Sequence, residues 1–202
     1  MKDHDQIQQK NQFPDSVLDS LFTNFGFTNL TEIQKKASPI ILQKKDCLVI
    51  APTGSGKTEC SVIPVFSLVK KSKKLGKIKV LYITPLRALN RDVFRRITKY
   101  AQSNDLSIEI RHGDTTQTAR RKITENPPDV LITTPETLVI LLTQIKMLDA
   151  LSELEWIVID EVHELLASER GSQLSLSIER LQLNSKYYLT KIGLSATVGN
   201  FE

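Results

Sequence analysis

A short apolar run, Cys47-Leu-Val-Ile50, passes directly into Ala51-Pro-Thr-Gly-Ser-Gly-Lys-Thr58, and this junction restricts the possible folds more than any other stretch of the chain. An apolar strand, a glycine-rich turn and a helix opening near Lys57 aim several backbone N–H groups and a helix N-terminus at one point. Gly54 and Gly56 allow left-handed backbone and a close approach with no Cβ in the way. Lys57 adds a point charge that can reach β- and γ-phosphate oxygens, and the Thr58 hydroxyl is a hard oxygen donor suited to magnesium. Pro52, Thr53, Gly54, Ser55, Gly56, Lys57 and Thr58 are therefore the predicted phosphate cradle. Ala51 stands where the strict G-x-x-x-x-G-K-[ST] pattern has its first glycine. A turn that needs glycine for geometry alone would account for Gly54 and Gly56 but not for Lys57-Thr58.

A second apolar run, Trp156-Ile-Val-Ile159, ends in Asp160-Glu161. Alone, an acidic pair after a strand does no more than complement the positive end of a following helix. Opposite a phosphate cradle it supplies the missing half of the chemistry: Asp160, with Thr58, to bind magnesium, and Glu161 to orient or deprotonate the water that attacks the γ-phosphate.

With 202 residues and 40% hydrophobic content, the chain suits a single α/β domain of ordinary size. Residues 1–12, polar and rich in glutamine, are expected to be a disordered tail, leaving 13–202 as the domain. Apolar segments at Asp46–Ile50, Ile78–Ile83, Ser107–Ile110, Val130–Thr133, Trp156–Ile159 and Lys191–Leu194 alternate with helix-like stretches. That alternation predicts a mostly parallel sheet with helices on both faces and its ligands at the carboxyl ends of the strands. Polar motifs fall at those ends: Thr84-Pro85, Gly113-Asp114, Thr134-Pro135, Asp160-Glu161 and Ser195-Ala-Thr197. The two cysteines, Cys47 and Cys60, have no metal or disulfide spacing and read as small buried hydrophobes. The N-terminus is polar and no run reaches the length of a membrane span, so a cytoplasmic protein is expected. A net charge of +4 permits a polyanionic partner, while the densest basic cluster, Lys70 to Lys77, reads most simply as a solvated loop.

Before the first strand, Asp15–Phe25 has the spacing of an amphipathic helix. Thr31-Glu-Ile-Gln34 then opens a second helix. Gln34 has two readings: the partner of Thr31 in a capping box, or an amide that reads an adenine edge by donating and accepting at once.

Taken together, Gln34, the loop at 51–58, Thr84-Pro-Leu-Arg-Ala-Leu89, Gly113-Asp-Thr115, Thr134-Pro-Glu136, Asp160-Glu-Val-His163 and Ser195-Ala-Thr197 resemble, in order and spacing, the first RecA-like domain of superfamily 2 helicases. Asp160-Glu-Val-His-Glu-Leu165 followed by Glu169-Arg-Gly-Ser-Gln-Leu-Ser-Leu-Ser-Ile-Glu-Arg-Leu181 is similar to the large helicase-related group within it. The resemblance implies a RecA-like P-loop NTPase domain, ATP and magnesium as cofactors, a nucleic-acid partner, and an activity that couples ATP hydrolysis to movement along one strand. It makes Gln34 an adenine contact, with Phe25 or Phe27 near the base. Pro85, Arg87, Gly113, Asp114, Thr134, Pro135 and Glu136 become contacts to the sugar-phosphate backbone, which suits sequence-independent tracking. His163, Ser195 and Thr197 become the groups that couple the γ-phosphate site to that track. From spacing alone, His163 is a surface residue and Arg87 an exposed helix-start arginine. The family also uses a second RecA-like domain whose arginines reach the γ-phosphate, and no such domain follows Thr197, so the resemblance implies the ATP-binding half of a helicase with little turnover in isolation. Other classes fit less well: a phosphate-loop kinase or GTPase would need an acceptor pocket or a guanine-reading Asn-Lys-x-Asp, and no such run is present in the sequence; intact Lys57, Thr58, Asp160 and Glu161 count against a non-enzymatic nucleic-acid module whose loop is vestigial, and the alternative that stays open is a nucleotide- and nucleic-acid-binding module without unwinding activity.

Overall fold

The computed structural model describes residues 29–70, 72, 74–85, 91–166 and 168–196. The predicted tail, the Asp15–Phe25 helix, Phe25, Phe27, Arg87 and Thr197 lie outside these residues. Among these residues six strands form: β1 (Cys47–Ile50), β2 (Val80–Ile83), β3 (Ile108–Arg111), β4 (Val130–Thr133), β5 (Trp156–Ile159) and β6 (Thr190–Ser195). They form one sheet in the order β1-β6-β5-β2-β4-β3, and every pairing is parallel. Each predicted segment contains a strand, with small shifts at the ends; β6, for example, extends to Thr190 and Ser195 because both residues pair with neighbouring strands.

The helices are α1 (Glu32–Leu42), α2 (Lys57–Val69), α3 (Arg91–Ser103), α4 (Gln117–Glu125), α5 (Pro135–Leu141), α6 (Ile145–Ala150) and α7 (Glu169–Asn184). Alternate strand residues feed two cores. Val80, Tyr82, Val130, Ile132, Trp156 and Val158 pack with α1, α2 and α3. Leu81, Ile83, Leu131 and Ile157 pack with α4 to α7 on the opposite face. Burial on both faces of β2, β4 and β5 explains why these central strands read as apolar runs rather than as an alternation. Truncating one of these side chains to alanine costs about 2–5 kcal/mol.

Among the described residues, four helices start on a hydroxyl that accepts from their own first turn: Thr31 for α1, Thr116 for α4, Thr134 for α5 and Ser168 for α7. Each such cap stabilises its helix by about 1 kcal/mol. Helix α2 starts instead on Gly56, at φ 88°, with no side-chain cap. Its first N–H groups are thereby left for another acceptor.

Three lysines of the basic cluster after α2 are anchored rather than merely solvated. Lys74 pairs with Glu153 at 2.7 Å, Lys77 with Asp149 at 2.7 Å and Lys70 with Asp105 at 3.2 Å. Both cysteines are free, and burial pushes the Cys60 thiol up to about 12, which keeps it protonated and inert. Among the described residues no helix is long and apolar enough to cross a membrane.

Candidate nucleotide site

The glycine loop leaves β1 and turns back under α2 with Gly54 at φ 78° and Gly56 at φ 88°. The second glycine is needed for space as well as for φ: a Cβ there would stand 2.6 Å from Gln34 Nε2. Ala51 N–H donates to Ser195 O at 3.2 Å, which locks the loop's first residue to the end of β6. Lys57 is nearly buried and folds over the loop, donating from Nζ to Ala51 O at 2.6 Å and Pro52 O at 3.1 Å. A charge held by two carbonyls is poised rather than neutralised, because phosphate oxygens are stronger acceptors for it.

The capping-box reading of Gln34 holds, and it leaves the amide nitrogen uncommitted. Its Oε1 accepts from Thr31 N–H at 3.0 Å, and Thr31 Oγ1 accepts from Gln34 N–H at 3.4 Å, completing the capping box. Its Nε2 is buried with no hydrogen-bond partner, as is Ser55 Oγ. An unpartnered buried donor costs about 1–3 kcal/mol, so this amide fits a ligand acceptor in the adjoining cavity. That cavity, about 530 Å³, is walled by the loop, Gln34, Asp160 and Glu161.

Asp160 is buried, and its two oxygens have internal donors: Glu161 N–H on Oδ1 at 3.0 Å and the Tyr82 hydroxyl on Oδ2 at 2.6 Å. Burial pushes its carboxyl above the ordinary value against the pull of the Tyr82 bond. The Glu161 carboxyl is also raised, first by burial and then by the Asp160 charge, so it is a stronger base than a surface glutamate. His163 is not in a regular helix. It lies in a 3-10 turn, Val162–Glu164, where Nδ1 stands 3.4 Å from Glu161 Oε2 and 3.3 Å from Ser195 Oγ. The carboxylate, the imidazole and the strand-end hydroxyl named from sequence are therefore one contact chain.

The remaining strand-end motifs share the same edge of the sheet but do more structural work than their sequence suggests. Thr134 caps α5 and bonds Thr137 Oγ1 at 3.1 Å, and Pro135 is the first residue of that helix. Glu136 is held by an ion pair with Arg170 at the start of α7. Gly113 offers its carbonyl to Arg120, and Asp114 is exposed. Pro85 is buried at the end of β2.

Sequence reasoning missed a second set of groups lining the cavity. Glu59, one residue past Thr58 and buried, accepts from Arg96 Nη1 at 3.0 Å and the Tyr100 hydroxyl at 3.5 Å. Tyr82 was missed too, although a tyrosine inside an apolar strand needs a partner for its hydroxyl and is a readable signal.

A strand, glycine loop and uncapped helix facing a carboxylate pair across the carboxyl edge of a parallel sheet define a RecA-like P-loop domain, a nucleotide-binding class. The chain belongs to the DEAD/DEAH box helicase family, whose sequence profile matches residues 31–202. ATP-dependent helicase Lhr-Core of Saccharolobus solfataricus is 39% identical over 189 residues, covering 87% of this chain and 22% of that protein. Lhr helicase/uracil glycosylase of Escherichia coli is 34% identical over 215 residues, covering 93% of this chain and 14% of that protein. Among solved structures, Mycobacterium smegmatis helicase Lhr bound to ssDNA and AMP-PNP matches with a TM-score of 0.79 at 36% identity, over 92% of this chain and 25% of that one. The DEAD-box helicase Mss116 bound to ssRNA and UDP-BeF has a TM-score of 0.79 at 24% identity, over 96% of this chain and 40% of that one, a likeness of fold. The chain thus spans 22% and 14% of the length of the two Lhr relatives named.

Proposed function

We propose that this chain is the ATP-binding domain of an ATP-dependent DNA or RNA helicase or translocase of the Lhr kind, coupling ATP hydrolysis to movement along a nucleic-acid strand. The observation that carries the reading is convergence: the uncapped N-terminus of α2, the Lys57 ammonium and the unpartnered Gln34 amide face one cavity, with Asp160 and Glu161 forming its far wall. Three donor sets on one side and two carboxylates on the other suit a polyphosphate with an attacking water, not a neutral ligand.

In this reading Gln34 Nε2 donates to the adenine edge, while Pro52 to Gly56 and the first N–H groups of α2 cradle the phosphates. Lys57 exchanges its two carbonyl acceptors for phosphate oxygens. Thr58 and Asp160 are hard oxygen donors that fit magnesium, which when bound neutralises phosphate charge. Glu161 faces His163 through Oε2, leaving Oε1 to orient the water and take its proton. His163 and Ser195 carry the state of that carboxylate to β6, and the family resemblance gives Thr197 the same coupling role. Pro85, Arg87, Gly113, Asp114 and Thr134-Pro135 form the track along the sugar-phosphate backbone. Glu136, paired to Arg170, joins this track, where its carboxylate suits a sugar hydroxyl rather than a phosphate. Arginines of a second RecA-like domain complete the γ-phosphate site, a contribution of about 10³–10⁵ in rate in phosphate-loop enzymes. The greater length of the Lhr relatives supports this division of labour.

The test is the melting temperature of the chain and of Lys57→Ala with ATP or ADP, with and without magnesium and single-stranded DNA or RNA. Ligand at about 100 times its dissociation constant adds about 2.7 kcal/mol, a rise of several degrees for a domain of this size. A rise that requires Lys57 is expected; an equal rise in Lys57→Ala would remove the loop from nucleotide binding.

A further inference from the structure

Tyr82 sits in the middle of β2, 1% exposed, in the core shared with α1, α2 and α3. Its hydroxyl donates to Asp160 Oδ2 at 2.6 Å, and the Thr58 side chain stands close enough to interact with the phenol oxygen. The same strand grips Asp160 a second time, since Asp160 N–H donates to Ile83 O at 2.8 Å. A carboxylate oxygen has two acceptor positions. With Tyr82 on Oδ2 and Glu161 N–H on Oδ1, the plane of the carboxylate is set and one position on each oxygen is left open.

The location adds a second argument. In the order β1-β6-β5-β2-β4-β3, the strands that carry the glycine loop, Ser195 and Asp160 form one half of the sheet. Those leading into Thr84-Pro85, Thr134-Pro135 and Gly113-Asp114 form the other. The Tyr82 to Asp160 bond crosses the seam between the halves, at the β2–β5 pairing.

We propose that Tyr82 is a positioning residue of the nucleotide site: from inside the core it orients the Asp160 carboxylate toward a magnesium-bound phosphate and ties that carboxylate to β2. The inference rests on the nucleotide-site reading above. Lys57 and the loop N–H groups bind phosphate without magnesium, so loss of the Tyr82 hydroxyl separates the metal-dependent part of binding from the rest.

The experiment is calorimetric titration of ADP into the chain, with and without magnesium, for the wild type, Tyr82→Phe, Asp160→Asn and the double variant, with circular dichroism and an unliganded melt on each. Tyr82→Phe keeps the ring in the core and removes only the hydroxyl. Its magnesium-free affinity is expected to stay within about twofold of wild type, while the gain on adding magnesium falls about tenfold, since outer-shell partners of metal ligands contribute about 10–100-fold to metal affinity. The double variant is expected to lose no more than Asp160→Asn alone, because Tyr82 acts through that carboxylate. An unchanged magnesium gain in Tyr82→Phe, an additive loss in the double variant, or a collapse of magnesium-free binding together with the gain would each overturn the positioning role. A wild-type chain that binds ADP under neither condition would overturn the nucleotide-site reading and this inference together.

Discussion

Glu161 occupies the left-handed region at φ 50° and ψ 46°, where a residue with a Cβ is disfavoured by about 1–2 kcal/mol. The conformation is held from both sides, by Glu161 N–H to Asp160 Oδ1 at 3.0 Å and by Glu164 N–H to Glu161 O at 2.9 Å. It turns the carboxylate out of the strand direction and toward His163, 3.4 Å away. Glu161→Gln keeps this shape and removes the carboxylate proposed as the base. In a form that includes the proposed second RecA-like domain, ATP turnover is expected to fall by at least about 10², the scale of general-base catalysis, with nucleotide affinity nearly unchanged; phosphate release and calorimetry measure the two, and normal turnover would take Glu161 out of the proposed water-activating role. Gly56 makes the opposite demand. An alanine there meets Gln34 Nε2 at 2.6 Å and must hold φ 88°, so Gly56→Ala is expected to lower stability by about 1–3 kcal/mol and weaken nucleotide binding in parallel. Urea denaturation and ADP titration on one sample check both effects.

At the scale of elements, the approach of α7 to the turn after Asp160-Glu161 is set by one glycine. A Cβ on Gly171 would lie 2.2 Å from Leu165 O and 3.1 Å from its carbonyl carbon, both backbone atoms that cannot rotate aside. Ser168 caps α7 and also donates to Leu165 O at 2.7 Å, and Arg170 reaches Glu136 at the start of α5. The start of α7 is therefore a joint between the turn at Val162–Glu164 and the helix that follows β4. Gly171→Ala is expected to destabilise the fold by about 1–3 kcal/mol, the ordinary effect of overpacking, and to shift the environment of His163. A urea midpoint equal to wild type would show that α7 can move off Leu165 freely. Ser168→Ala tests the same joint more gently, with about 1 kcal/mol expected from the lost cap.

Across the whole molecule, the edge of the sheet opposite the nucleotide site is closed by buried charge. Glu153 accepts from Lys74 at 2.7 Å, Lys79 at 3.2 Å and Lys186 at 3.2 Å, and Glu155 accepts from Lys79 at 3.3 Å and Lys44 at 3.1 Å. The Lys74 bond leads in holding the Glu153 carboxyl down at about 2 from its ordinary 4.5, against the effect of burial. A depressed carboxylate stabilises the fold fully above its unfolded value and loses that contribution as pH falls through the folded one. The stability difference between wild type and Glu153→Gln is thus expected to be constant above about pH 4.5 and to disappear by about pH 2. Urea midpoints across that range measure it, and a difference independent of pH would show that the lysines do not hold the charge. None of this network can be read from sequence, where Lys74 and Glu153 are separated by 79 positions and the lysines read as a solvated loop. The strands, the glycine loop and the acidic pair could be read there, because each is a property of a few neighbouring residues: an apolar run buried on both faces, a φ that only glycine adopts easily, a carboxylate at a strand end. Gln34 shows the boundary within one side chain. Its cap is local and visible in Thr31-Glu-Ile-Gln34, whereas the unpartnered amide nitrogen depends on Gly56, brought against it by the packing of α1 on α2. Strand order lies wholly on the far side of that boundary. The placement of β6 between β1 and β5, which brings Ser195 to His163 and leaves Tyr82 bonded to Asp160 across 78 positions, follows from pairing energies summed over the sheet, and no local run of residues encodes it.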